Sequence, residues 1–265
     1  MSEPIQTTGY WNGAVDSYIA GAEPFTAQFC EDAVVLADVD AGLALLDVAT
    51  GPGALALAAA RAGAVVTAID FSQAMINRLS ARIGELPITP ACMDGQALDL
   101  PDASFDRACS VFGIPLFPDW RAGLSEMARV LRPGGRAVVG IADNPHGFGP
   151  NPLLARSREK HFPLSPAPVD VRMDLVAEPR RLVTEFAAAG FGNIAIEERT
   201  HDFVLIASLF TADHPMIAAN PMLTGLLGDD RLRVIGEAIE EAHRRSRGDH
   251  LLLPGTARFI IGAKS

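Results

Sequence analysis

The chain has 265 residues, a net charge of −10 and a pI near 5.0, with 49% hydrophobic and 20% charged residues. This is the balance of an ordinary globular protein, long enough for one domain with insertions. The acidic excess excludes nucleic acid and anionic membrane as expected partners, because both are gripped by basic surface that releases counterions.

Three cysteines, Cys30, Cys92 and Cys109, show no C-x-x-C spacing. Neither a disulfide framework nor a zinc site is expected, and no metal is called for. The start "MSEPIQTTGYW" has no basic region followed by an apolar one, and the longest apolar region is cut by Asp47, Gly51-Pro52-Gly53 and Arg61. The chain is therefore read as cytoplasmic, with no membrane span.

In chain order, "GYWNGAVDSYIAGAEPFTAQF" reads as helix packed on a sheet edge. Leu43 to Val48 and Val65 to Ile69 are short strands with the alanine-rich "ALALAAARAG" between them, a βαβ unit. "SQAMINRLSARIG" has helical spacing and an N-cap serine, "PITPACM" and "SFDRACSVFG" read as strands, and "GLSEMARVLRPGG" as a helix stopped by Pro-Gly-Gly. "RAVVGIA" is the next strand. The alternation predicts an α/β, doubly wound, mostly parallel sheet with helices on both faces.

After Ala142, "DNPHGFGPNP" and "HFPLSPAPVD" are rich in proline and read as loop or irregular insertion. "EPRRLVTEFAAAGF" is a helix stopped at Gly190, "NIAIEERTHDFVLI" alternates as a strand, and "ARFIIGA" is the last strand. Between those strands "SLFTADHPMIAANPMLTGLL" and "DRLRVIGEAIEEAHRRSR" read as a helical cap. Its apolar residues between Leu205 and Leu227 fit a core, a pocket for an apolar or aromatic acceptor, or the interface of a homodimer.

A strand that runs into glycines and a helix N-terminus offers unpaired N–H groups to a ligand. Gly51-Pro52-Gly53-Ala54-Leu55-Ala56 matches the dinucleotide fingerprint G-x-G-x-x-A, and Asp70 lies 19 residues beyond Gly51 at a strand end. On this motif alone an NAD(P)-dependent oxidoreductase is one reading. A second observation is Asp47, a carboxylate four residues before Gly51, where burial needs hydrogen-bond donors. Asp47 either accepts only from the loop or also meets a cationic ligand.

"LDVATGPG", "VVTAIDFSQAM", "CMDGQALDLPDASFD" and "EMARVLRPGGRAVV" resemble, in order and spacing, the successive motifs of class I S-adenosylmethionine-dependent methyltransferases, in the small-molecule branch that includes quinone methyltransferases. The resemblance covers Leu43 to Ile141 and implies a seven-stranded Rossmann-like methyltransferase sheet with the helical cap between its last two strands. One methyltransferase domain is expected over 1–265, with a helical lid at 1–40 and substrate-cap insertions at 143–175 and 207–253.

The resemblance implies that Ala49, Thr50, Gly51 and Gly53 pass under the methionine end of S-adenosyl-L-methionine, with Asp47 steadying the loop or the bound ammonium. Asp70 would accept from both ribose hydroxyls, Phe71 and Met75 would flank adenine, and Asp94, Gly95 and Gln96 would close its rim. Ser110 to Phe112 would border the methionine moiety, and Tyr18 would reach the cofactor carboxylate from the lid. "FGIPLFPDW" stands where quinone C-methyltransferases carry an arginine-and-asparagine stretch, and no Asp/Asn-Pro-Pro-Tyr segment of nucleobase amino methylation is present. The implied function is methyl transfer to a small metabolite at O, N or C. The catalytic base, if one is needed, is unassigned; His146 and Asp143, just past the fifth strand, are the candidates. The alternatives are the oxidoreductase and a cofactor-binding protein without catalysis.

Overall fold

The run Ala44–Val48 becomes the central strand β1 because a parallel strand buried on both faces favours an apolar run, and Leu45, Leu46 and Val48 are fully buried, with Asp47 the polar exception. In the computed structural model, which describes residues 6–167, 179–218 and 220–265, β1 pairs in parallel with β2 (Val65–Asp70) on one side and β4 (Phe105–Val111) on the other. β3 (Ile88–Cys92) adds outside β2, and β5 (Leu131–Ala142) outside β4, both parallel. With β6 (Phe191–Ile206) and β8 (His250–Lys264) the order is β3-β2-β1-β4-β5-β8-β6, and a two-residue strand β7 (Ser246–Arg247) pairs antiparallel with β8. Among the described residues the sheet has eight strands where seven were expected.

Helices α1 (Thr8–Gly21) and α2 (Glu23–Leu36) precede β1; α3 (Ala54–Arg61), α4 (Gln73–Ser80) and α5 (Trp120–Val130) form the crossovers. Ser72 caps α4 as its sequence context predicts, accepting from the Met75 N–H at 3.3 Å. α2 is part of the core: Phe29 is fully buried, edge-on to Phe25 at 5.1 Å and to Phe112 at 5.4 Å. The later helices are α6 (Asn151–His161), α7 (Pro179–Ala188), the single turn α8 (Pro215–Ala218) and α9 (Gly228–His243).

The chain divides into two compact units. The first comprises 1–141, 177–199 and 257–265; the second comprises 142–176 and 200–256, so β6 and β8 each supply residues to both. The outer end of the expected lid (1–5), residues 168–175 of the first expected insertion, and Glu178 of the expected helix lie outside the described residues.

Four expectations are corrected. α5 ends at Val130 rather than at Pro-Gly-Gly, because the residue before Pro133 is pushed out of the helical region; Arg132 to Gly135 bulge within β5 between the pairs Phe105–Leu131 and Arg107–Arg136. α6 arises inside the proline-rich insertion, where Pro152 sits in the first turn and needs no hydrogen-bond donor. The stretch 208–227 is mostly irregular, with only α8 and short 3₁₀ turns, since Pro215 and Pro221 can begin a turn but not lie inside a helix. β8 starts at His250, before the expected "ARFIIGA".

In the second unit a buried guanidinium ties irregular chain together. Arg158, 5% exposed, donates from Nε to Ser165 O at 2.8 Å and from Nη1 to Met222 O and Thr224 O at 2.9 and 2.8 Å. Phe210, Ile217, Met222 and Leu223, which made 208–227 look like a cap, are buried in this unit's core. Arg158→Met would leave those carbonyls without donors, each at about 1–3 kcal/mol. Urea unfolding should show a loss of about 3 kcal/mol or more; an unchanged midpoint would contradict this role.

Candidate functional site

The strand order reverses between β2-β1 and β4-β5, and at such a switch point the carboxyl ends of the strands leave a crevice for a ligand. The loop from Ala49 to Gly53, after β1, opens this site. Ala49, Gly51 and Gly53 all adopt left-handed backbone, with φ of 59°, 55° and 98°. For Ala49 this costs roughly 1–2 kcal/mol, so the surroundings must hold it there. At Gly53 a side chain is excluded twice over, since a Cβ would also lie 2.3 Å from Leu79 Cδ1 of α4.

Two buried carboxylates hold the loop. Asp47, 1% exposed and paired in register with Ala68 and Cys109, accepts from Thr50 Oγ1 at 2.6 Å. Burial pushes its carboxyl up to about 7, against the opposing pull of the Thr50 hydroxyl and the Ala56 N–H, with the Asp70 charge adding to the rise. Asp70 ends β2 and accepts from Gly51 N through Oδ2 and from Ser72 N through Oδ1, each at 2.9 Å. Burial raises its pKa while these two N–H groups lower it. The Thr50 N–H bonds to Ile69 O at 2.8 Å, so the loop is stitched to β2 by backbone as well.

The other expected cofactor residues surround this loop within the first unit. Phe71 is half-buried, and Ser72 beside it is fully buried, its Oγ donating to Asn12 Oδ1 of α1 at 2.7 Å. Met75 lies in the buried face of α4 with Ile76 and Leu79. Asp94 is exposed and shapes a turn rather than a helix: its Oδ1 accepts from Gln96 N at 2.9 Å, and Gln96 Oε1 accepts from Asp119 N at 2.7 Å. Gly95 is packed so closely that a Cβ would lie 2.7 Å from the Phe117 ring and 2.9 Å from Val48 Cγ1. Tyr18 turns its hydroxyl to Thr26 Oγ1 at 3.0 Å, and burial raises its pKa.

At the end of β4, Ser110 is fully buried and its Oγ has no hydrogen-bond partner. A buried hydroxyl without a partner carries a desolvation penalty that a ligand can relieve. Phe112 is left-handed with φ 64°, and a Cβ on Gly113 would lie 2.4 Å from Ala49 Cβ and 2.9 Å from Ser110 Oγ. Gly113 and Asn12 are the site residues that sequence reasoning missed. Neither stands in a periodic or motif context; only "FGIP" after the strand hinted at the first. The orphaned Ser110 hydroxyl, the bare glycine backbone and the spare lone pairs of Asp70 fit the amino-acid end and ribose of the expected cofactor.

His146 and Asp143 belong to the second unit. The His146 N–H donates to Asn144 Oδ1 at 2.9 Å, its Nε2 is 3.5 Å from Glu159 Oε1, and its Nδ1 is buried without a hydrogen-bond partner. The Asp143 N–H donates to Thr256 O at 3.0 Å. Among the described residues no group of three His, Cys, Asp or Glu side chains could hold a metal ion, and no helix is long and apolar enough to cross a membrane.

Comparison with known proteins accords with this geometry. The family described as "Methyltransferase domain" matches residues 45–135. A demethylmenaquinone methyltransferase of Corynebacterium glutamicum is 37% identical over 108 residues, covering 41% of this chain and 45% of that protein. An uncharacterized protein of Mycobacterium tuberculosis is 35% identical over 130 residues, 48% of this chain and 47% of that one. The chain thus spans about half the length of the curated relatives it matches. Among solved structures, a phosphoethanolamine N-methyltransferase of Haemonchus contortus, in complex with phosphomonomethylethanolamine and S-adenosylhomocysteine, superimposes with a TM-score of 0.58 at 15% identity, over 99% of this chain and 60% of that one. The matched stretch is the one that forms β1 through the start of β5 with the carboxylate-held loop: over these residues the chain resembles methyltransferase domains, and it shares its fold with a methyltransferase of known structure.

Proposed function

We propose that the chain transfers a methyl group from S-adenosyl-L-methionine to a small apolar or aromatic metabolite. The observation that carries this reading is the loop Ala49–Gly53 held between Asp47 and Asp70, with the Ser110 hydroxyl unpartnered beside it. When bound, the cofactor supplies a methyl group on a sulfonium that an acceptor displaces in line. The protein then has mainly to align two reactants and exclude water. In this reading Asp70 accepts from the ribose hydroxyls with the lone pairs its two N–H bonds leave free, and Ser110 and the loop backbone meet the methionine end. Asp94, Gly95 and Gln96 form the adenine rim with Phe71, while Met75 supports that side from the core.

The N-terminal segment 1–40 is proposed as the cover, with α2 as its fixed anchor and α1 resting on α4 through Asn12. The segments 143–175 and 207–253 are proposed to choose the acceptor. The relative named for demethylmenaquinone supports an apolar one. Where the acceptor arrives protonated, His146 is the proposed base; Glu159 beside Nε2 favours the tautomer that leaves the buried Nδ1 as acceptor. The acidic charge supports small molecules rather than nucleic acid as substrates, and the three free cysteines support a cytoplasmic setting. Exposed Leu209 and Leu227 support a homodimer, which sedimentation at micromolar concentration reads directly.

Titration calorimetry with S-adenosylmethionine, S-adenosylhomocysteine and NADH tests the reading. The first two should bind in the micromolar range and NADH should not; NADH binding alone would make the chain an oxidoreductase. Asp70→Asn should weaken cofactor affinity by at least tenfold in a protein that still unfolds cooperatively. Labelled methyl transfer into a metabolite extract separates an enzyme from a cofactor-binding protein.

Asp47 makes the affinity pH-dependent. Its carboxyl is neutral below about 7 in the free protein and charged above. Affinity for the ammonium-bearing cofactor should therefore be greatest above pH 7 and fall by up to about tenfold per unit below it. Asp47→Asn should lower affinity at pH 8 and flatten the profile; a profile identical to the parent's would remove Asp47 from this role.

A further inference from the structure

The glycine loop of the first unit is tied to its neighbours unevenly. Its first half is bound to β2, where the Thr50 N–H meets Ile69 O and the Gly51 N–H meets Asp70 Oδ2. Pro52 follows with no N–H to donate, between two glycines that are both left-handed, with φ of 55° and 98°. Glycine moves between backbone wells at little cost, so the Pro52–Gly53 peptide can pivot unless its polar groups are held. Its N–H donates to Thr50 O at 3.0 Å, a bond within the loop itself. Its carbonyl is held from outside: Arg82, just past the end of α4, donates from Nη1 to Pro52 O at 2.9 Å.

Arg82 is in turn placed by Glu23, the first residue of α2. The same Nη1 donates to Glu23 Oε1, and a terminal guanidinium nitrogen carries two N–H groups, so both acceptors are served at once. An arginine side chain that is 36% exposed would by itself sample many surface rotamers and contribute little to stability. Here its partner is buried, and a buried carboxylate without a cationic donor is strongly destabilising. That partner also stands on a fixed element, because Phe29 anchors α2 in the core. The guanidinium is thus drawn to one position, and in that position it grips the loop.

We propose that Arg82 is a positioning residue of the cofactor site: placed by Glu23, it fixes the Pro52–Gly53 peptide and with it the shape of the loop that meets S-adenosylmethionine. This rests on the reading of the loop as the cofactor seat. Neither residue touches the cofactor in this account; both act through the Pro52 carbonyl.

Arg82→Gln, Glu23→Gln and the double substitution, each in the full chain, test the proposal. Arg82→Gln removes the tie, whereas Glu23→Gln keeps the guanidinium and removes the charge that places it. In the ligand-free protein the Gly53 amide should exchange about fivefold faster in each single variant, with the Val66 to Ile69 amides of β2 unchanged. Affinity for S-adenosylhomocysteine, by calorimetry, should fall about fivefold or more in each, and the double substitution should lose no more than the larger single loss, because the pair acts as one unit. A merely structural ion pair would lower the thermal midpoint and leave Gly53 exchange and affinity at the parent's values; that result overturns the proposal, as do losses that add in the double variant. Should Arg82→Gln fail to fold with Glu23 left unpaired, Glu23→Gln and the double substitution, which removes both charges, give the same readings. If the parent binds no S-adenosyl compound, the cofactor reading falls and Gly53 exchange alone decides the coupling: acceleration upholds it, and a parent-like rate overturns it.

Discussion

The buried Asp47 carboxylate, set in a strand that would otherwise be purely apolar, is the constraint on which the site depends. A charge without donors in that position would destabilise β1, and the fold answers it by curling the next residues back so that the Thr50 hydroxyl reaches Oδ2. That curl needs left-handed backbone at Ala49, Gly51 and Gly53, and it brings the Gly51 N–H to Asp70 on the neighbouring strand. Two carboxylates, one turn and the start of α3 thus define each other. Such a loop is organised before any ligand arrives, so less ordering has to accompany binding.

Surrounding packing transmits this local arrangement. Leu79 of α4 fills the space that a Gly53 side chain would need, and Phe117 with Val48 closes on Gly95. Ser72 does two jobs at once, capping α4 and donating to Asn12 of α1, so the N-terminal helix is registered against the residue that follows Asp70 and Phe71. Within the expected lid at 1–40, Phe29 is fully buried against Phe25 and Phe112, which makes α2 part of the core.

The first half of the chain was legible because its signals agree: β-branched runs of strand length, glycine turns, the Ser72 cap and helix patterning all point to parallel βαβ units. Motif order then separated a sulfonium cofactor from a dinucleotide, which the glycine loop alone did not. The second unit was less legible for the same kind of reason. Its proline-rich stretch reads as loop, yet proline in a first turn is compatible with helix, and α6 forms; the apolar 208–227 reads as helix, yet its prolines break it and its residues pack as irregular core. Contacts such as Arg158 with the carbonyls of Met222 and Thr224, or Arg156 on Glu241, join residues far apart in sequence and leave no periodic trace.

Hydrogen exchange across residues 45–73, with and without saturating S-adenosylhomocysteine, tests the loop as cofactor seat most directly. Increased protection should concentrate on the amides of Thr50, Gly51, Gly53, Phe71 and Ser72, with β1 itself, already buried, little changed. Binding without added protection in this segment would contradict the account.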